Sequence, residues 1–184
     1  MATTSIEICS RALILLGASP IASFDDPGAG AQVSNLLYES TLRSLISSHR
    51  WNFTKKKATL SRLVAAPLNS YTYQYQLPSD YLTMVKTADD SIYEIQGDKI
   101  LSDRDELSID YIYRPDETLF PAIFTETLEF YLASKFAVPV TDSKTNAELY
   151  LGFYNTQIKK AKAVDSQSVP TYQLNQTEYL AIRA

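Results

Sequence analysis

One histidine, one tryptophan and one cysteine occur in this chain of 184 residues. An imidazole can move a proton near neutral pH, a thiol can act as a nucleophile, and an indole can stack on a base. His49 and Trp51 stand together in Ser48-His49-Arg50-Trp51-Asn52-Phe53, whereas Cys9 sits on the apolar face of an N-terminal helical pattern, where a thiol is an inert core group. A lone histidine builds no His cluster for a metal, and a lone cysteine excludes both a Cys-rich zinc site and an intrachain disulfide. There is no H-E-x-x-H, no nucleophile elbow and no glycine-rich phosphate loop, and five glycines leave little material for one. Asp103-Arg104-Asp105-Glu106 has the opening of a calcium loop without its central glycine or terminal glutamate. Asp25-Asp26 and Asp89-Asp90 are adjacent in loops, whereas catalytic carboxylates must converge across a substrate. The expectation is a protein that is no enzyme and has no metal and no cofactor.

Charge offers a second chemistry. Lys55-Lys56-Lys57, with Arg50 before it and Arg62 after it, is the one notable basic cluster and the candidate DNA-facing group. Alternation on a strand sends Lys55 and Lys57 to one face and Lys56 to the other, which does not make a compact phosphate clamp. The formal net charge of −4 argues against bulk nucleic-acid binding, which depends on displacing counterions with Lys and Arg. Trp51 and Phe53 are expected to act as an interdomain anchor, pinning the strand-like segments after them to the long helix before them. Thirteen tyrosines against one tryptophan lean toward a binding surface.

The elements around this seam are legible. Thr4-Ser5-Ile6-Glu7 has capping-box form, and Gly17 and Pro20 close a first helix at about 5–16. Asp26-Pro27 opens a second at about 28–49, with Val33, Leu36, Leu37, Leu42, Leu45 and Ile46 at helical spacing. From Lys55 the texture turns strand-like: Thr59 to Val64, Tyr71 to Leu77, Tyr81 to Thr87, a hairpin turning at Gln96-Gly97-Asp98, and Ser108 to Tyr113. Pro121 opens a third helix that should end before Pro139, and Asp142 or Ser143 caps a fourth reaching Ala163, with Lys159, Lys160 and Lys162 in its last turns. The fold class is therefore α+β: about four helices, two N-terminal and two C-terminal, with an inserted antiparallel β domain. Residues 1–54 and 116–165 form the helical domain, 55–115 the insertion, and 166–184 a flexible C-terminal arm.

That arm is polar yet carries Tyr172, Leu174, Tyr179, Leu180 and Ile182, spaced apolar groups suited to ordering on a partner. The longest apolar run, Ala12 to Leu16, is far short of the roughly 18–20 residues of a membrane span, and no charged start precedes a cleavable segment. A reducing compartment, without membrane or secretion, is expected.

Several segments, in order, are similar to one family. Ile8-Cys9-Ser10-Arg11-Ala12-Leu13 through Leu16-Gly17-Ala18-Ser19-Pro20-Ile21 resembles the opening of the head-to-tail adaptors of tailed bacteriophages, the family that includes tail tubular protein A. His49-Arg50-Trp51-Asn52-Phe53, Tyr73-Gln74-Tyr75-Gln76-Leu77-Pro78-Ser79-Asp80-Tyr81-Leu82, Tyr93 to Leu101, Phe120-Pro121 and Ala137-Val138-Pro139-Val140 agree with it in the same order. The resemblance implies a structural virion protein and no catalysis. It implies a homo-oligomeric ring of about a dozen copies between the portal protein ring and a distal tail nozzle or tail tube protein, with double-stranded DNA passing through the bore without sequence-specific binding. Assembly would take place in the host cytoplasm. A ring closed by heterologous contacts needs two different complementary faces per subunit, and a dozen copies would carry a charge of about −48. The arm residues Tyr172, Leu174, Tyr179, Leu180 and Ile182 would dock on the portal or a neighbour. The alternative is a small DNA-contacting module built on Arg50, Lys55, Lys56, Lys57 and Arg62.

Overall fold

In the computed structural model, which describes residues 3–68 and 70–168, the capping box at Thr4 closes as its spacing requires. Thr4 Oγ1 accepts from the Glu7 N–H and Glu7 Oε2 accepts from the Thr4 N–H, both at 3.2 Å, and α1 (Ser5–Leu15) begins there. Gly17, at φ 74°, supplies the left-handed residue just beyond its end. The second helix, α2 (Ala29–Ser47), starts differently from the expectation. Asp26 does not cap it; its Oδ2 accepts the N–H groups of Ala22 (2.7 Å) and Ser23 (3.0 Å), closing the preceding turn, and Gly28 takes the cap position with no side-chain bond. An Asx side chain reaches whichever free N–H lies nearest, and here that lies upstream.

After a single 3-10 turn at Asn52–Thr54, six strands lie between α2 and the third helix: β1 (Lys55–Thr59), β2 (Tyr73–Gln76), β3 (Tyr81–Thr87), β4 (Glu94–Gln96), β5 (Lys99–Ser102) and β6 (Ser108–Tyr113). They form two antiparallel three-stranded sheets, ordered β1-β6-β3 and β2-β5-β4. The stretch Thr59 to Val64 is not a strand. The ladder ends at Thr59, and beyond it Arg62 makes only an isolated bridge to Tyr75. Gly97, at φ 64°, turns the β4–β5 hairpin, where Gln96 pairs with Lys99.

A second 3-10 turn at Glu117–Leu119 leads into α3 (Ala122–Thr141) and α4 (Lys144–Gln167). Pro121 is the N-cap of α3, and Ser143 caps α4 by accepting from the Asn146 N–H at 3.2 Å, while Asp142 takes the left-handed conformation between the helices. Pro139 does not stop α3; the helix runs through it to Thr141. Phe136 and Ala137 are fully buried just before it, so packing holds the backbone helical despite the missing N–H. Likewise α4 outruns Ala163, so residues 166 and 167 are helix rather than arm, and Lys159, Lys160 and Lys162 lie before its final turn.

The class is α+β, with two cores sharing one sheet. α3 is the central helix, packing on α1, α2 and α4, and the core around it holds Ile8, Leu13, Leu42, Ile46, Leu128 and Phe136. Alternation along β6 sends Ile112 into that core and Ile109 and Tyr111 into a second one, with Tyr75, Leu77, Ile100 and Leu107. Of the thirteen tyrosines, four lie in or against the helical core and six in or against the β core. Of these, Tyr38, Tyr75 and Tyr111 are buried, and the others are partly exposed while packing on the two cores.

Candidate functional site

The seam between α2 and β1 converges on Asp165 of α4. The Asn52 N–H donates to Asp165 Oδ1 at 3.0 Å, and Asn52 Nδ2 donates to the Asp165 carbonyl at 2.6 Å and to Ser168 Oγ at 2.8 Å. His49 Nε2 lies 3.5 Å from the same carboxylate. Burial lowers the His49 pKa, outweighing the Asp165 charge that favours protonation, so the imidazole is neutral at pH 7. It stands edge-on to Trp51 at 4.9 Å between ring centroids and serves as packing.

Trp51 is buried, and its indole N–H donates to the Leu45 carbonyl at 3.1 Å. Its ring meets Phe124 of α3 edge-on at 5.1 Å, and Phe53 meets Phe124 at 4.8 Å. The two aromatic residues expected to anchor the strands to α2 meet Phe124 of α3 through their rings, and they share one core with Leu42, Leu45 and Ile46 of α2. Between the seam and the end of α4 lies a cleft of about 140 Å³, lined by Trp51, Phe53, Phe124, Ala161, Val164 and Ser168 among others, and its wall is mostly apolar.

The basic cluster is divided as strand alternation requires. On one face of β1, Lys55 Nζ donates to Asn52 Oδ1 at 2.6 Å and Lys57 lies 3.5 Å from Asp110. On the other, Lys56 pairs with Asp80 at 2.7 Å and lies over the Tyr113 ring at 5.0 Å. Burial would raise the Asp80 carboxyl, but the Lys56 ammonium and the Tyr111 hydroxyl, which donates at 2.9 Å, together hold it below the usual range. Arg62 pairs with Asp105 and covers the Tyr73 ring, and Arg50 is exposed at the end of α2. A carboxylate beside three of these five cations weakens the field any phosphate would meet, which counts against a DNA-contacting module.

The remaining candidates separate. Burial pushes the Cys9 thiol up to about 12, far from a nucleophile's range. Asp103 accepts from the Thr72 N–H at 2.8 Å, Asp105 pairs with Arg62, and Asp89 pairs with Arg104 at 3.0 Å. Among the described residues no three His, Cys, Asp or Glu side chains converge on a common point, and no helix is long and apolar enough to cross a membrane. Tyr172, Leu174, Tyr179, Leu180 and Ile182 lie outside the described residues.

Sequence reasoning missed two joints. Asp165 is one. The other is Arg114, which donates to Glu117 at 2.6 Å and to Glu39 of α2 at 3.2 Å, while Tyr38 donates to Glu117 at 3.0 Å. Burial would raise the Glu117 carboxyl, and the Arg114 guanidinium more than offsets it. The two joints bind the seam where the chain leaves the helical layer and the turn where it returns. The Arg114–Glu117 spacing was the one local sign of the second.

Neither a protein-family model nor a curated protein sequence matches this chain.

Proposed function

We propose that this protein is a ring-forming head-to-tail adaptor that joins a capsid portal to the tail and lets double-stranded DNA pass. The observation that carries this reading is that, among the large apolar side chains the subunit exposes, some stand on α4 and others on the long loop between β1 and β2. Leu149 and Phe153, one turn apart on α4, are each about half exposed, and Val64 and Leu68 are fully exposed on the loop between β1 and β2. Two unlike faces are what a closed heterologous ring requires of every subunit. The ordered segments similar to the adaptor family add support, because they fall at joints of the fold: the Gly17 cap, the Trp51 seam, the Gly97 hairpin and the Pro121 cap. The net charge of −4 suits a bore through which DNA slides without sticking.

Charge substitution on each face tests the reading. Val64→Glu with Leu68→Glu should leave thermal stability nearly unchanged, because these side chains are fully exposed, whereas Leu149→Glu with Phe153→Glu should lower it modestly, since Phe153 packs on Phe130 and Tyr150, without unfolding the subunit. Each variant alone should fail to close rings on a portal assembled from the same genome's portal protein. Mixed together, the two variants should pair through the intact α4 face of one and the intact loop face of the other, and stop at dimers. Normal ring closure by both variants would refute the two-face assignment.

A further inference from the structure

The cleft at the seam has an occupant within reach. α4 ends at Gln167, and its C-cap residue Ser168, whose side chain is held by Asn52 at 2.8 Å, itself lines the cleft. Asn52 also holds the Asp165 carbonyl and carboxylate, so the point where the remaining chain departs is fixed at the cleft mouth. Pro170 comes two residues on, and a residue that precedes a proline is disfavoured in helical geometry. Four residues beyond Ser168 comes Tyr172, within roughly 13 Å of extended chain.

We propose that the ring of Tyr172 docks into the cleft of its own subunit, between Phe53, Phe124 and Val164. The space matches: about 140 Å³ is available, and an apolar cavity of about 150 Å³ accepts a benzene-sized group. The wall chemistry matches as well, with an aromatic and aliphatic floor and the polar atoms of Asp165 and Ser168 at the rim for a phenol hydroxyl. The docked ring roots the arm on its own subunit and leaves Tyr179, Leu180 and Ile182 as the group available to a partner. This docking does not depend on the adaptor reading, since every group in the cleft belongs to one chain.

Two measurements on the full chain test it. Trp51 is the only tryptophan and forms part of the cleft, so acrylamide quenching of its fluorescence reports on the cover. Tyr172→Ala should raise the quenching constant about two-fold, and Tyr172→Phe should leave it near wild type. Paired cysteines that keep the Tyr172 ring and Val164, Ile123→Cys with Thr171→Cys, should cross-link within one chain under mild oxidation, giving a monomer band on a non-reducing gel at micromolar and at tenfold lower concentration. Quenching unchanged by Tyr172→Ala overturns the proposal. So does cross-linking only between chains, which would give the cleft to a neighbour's arm, and so does the absence of any cross-link.

Discussion

Trp51 matters to this molecule as a buried wedge rather than a reactive group. Trp51→Ala removes an indole packed on Phe124 and the hydrogen bond to the Leu45 carbonyl, and urea unfolding should record a loss of about 3–5 kcal/mol. Asp165→Ala leaves the part-buried Asn52 N–H without its acceptor, and the expected loss is about 1–3 kcal/mol, with Asp165→Asn milder because it keeps one acceptor. His49 gives a pH signature. Its folded pKa lies below the unfolded value of about 6.5, so the unfolded chain takes up the proton first. The stability from the neutral ring is present above about pH 6.5 and is lost as the pH falls through the folded value. Asp80 and Glu117, both held low, lose their contributions only at more acid pH, below the ordinary carboxylate value of about 4. Thermal melts from pH 7 to pH 5 should therefore fall more steeply for the wild type than for His49→Gln. At this scale the sequence marked the seam through its singular residues but not Asp165, because no local spacing signals a partner 113 positions away.

The elements were legible where one local device settles them. The Thr4–Glu7 box and the Gly97 turn each depend on neighbours within a few positions, and both formed as read. Pro139 misled because its local preference competes with the burial of Phe136 and Ala137, and tertiary packing prevailed. The helix therefore carries a proline whose missing N–H deprives the Lys135 carbonyl of its donor. Pro139→Ala is expected to raise stability by about 1–3 kcal/mol, the helical gain being partly offset by a freer unfolded chain; thermal or urea unfolding measures it. Asp26 misled in the opposite way, since two competing local sites could take its carboxylate and the turn at Ala22 and Ser23 took it. The tyrosines divide in a way composition does not reveal. Composition counts aromatic residues, but only strand pairing decides that Tyr75 and Tyr111 face inward.

Across the whole molecule, the division into a helical layer and a strand block was readable because the hydrophobic period changes after Phe53 and changes back at Pro121. The split into two sheets and the sharing of β6 between two cores were not, since sheet order is a property of long-range pairing. The candidate site was half legible: the seam residues stood out, whereas the cleft exists only because the end of α4 returns to them. That return also sets where the arm should be cut. Truncation at Asp165 would strip Ser168 from Asn52, whereas truncation after Ser168 keeps every described contact of the seam. The arm-less chain ending at Ser168 should fold, with its unfolding midpoint lowered only by the loss of the docked Tyr172 ring, and should lose binding to the portal ring; undiminished binding would remove the arm from the docking surface. The most direct test of the adaptor reading is native mass spectrometry of the full chain mixed with the portal ring encoded by the same genome. About twelve copies of the 20.6 kDa subunit should add per portal ring, with few partly filled rings. No binding, or scattered single copies that never close a ring, would contradict it.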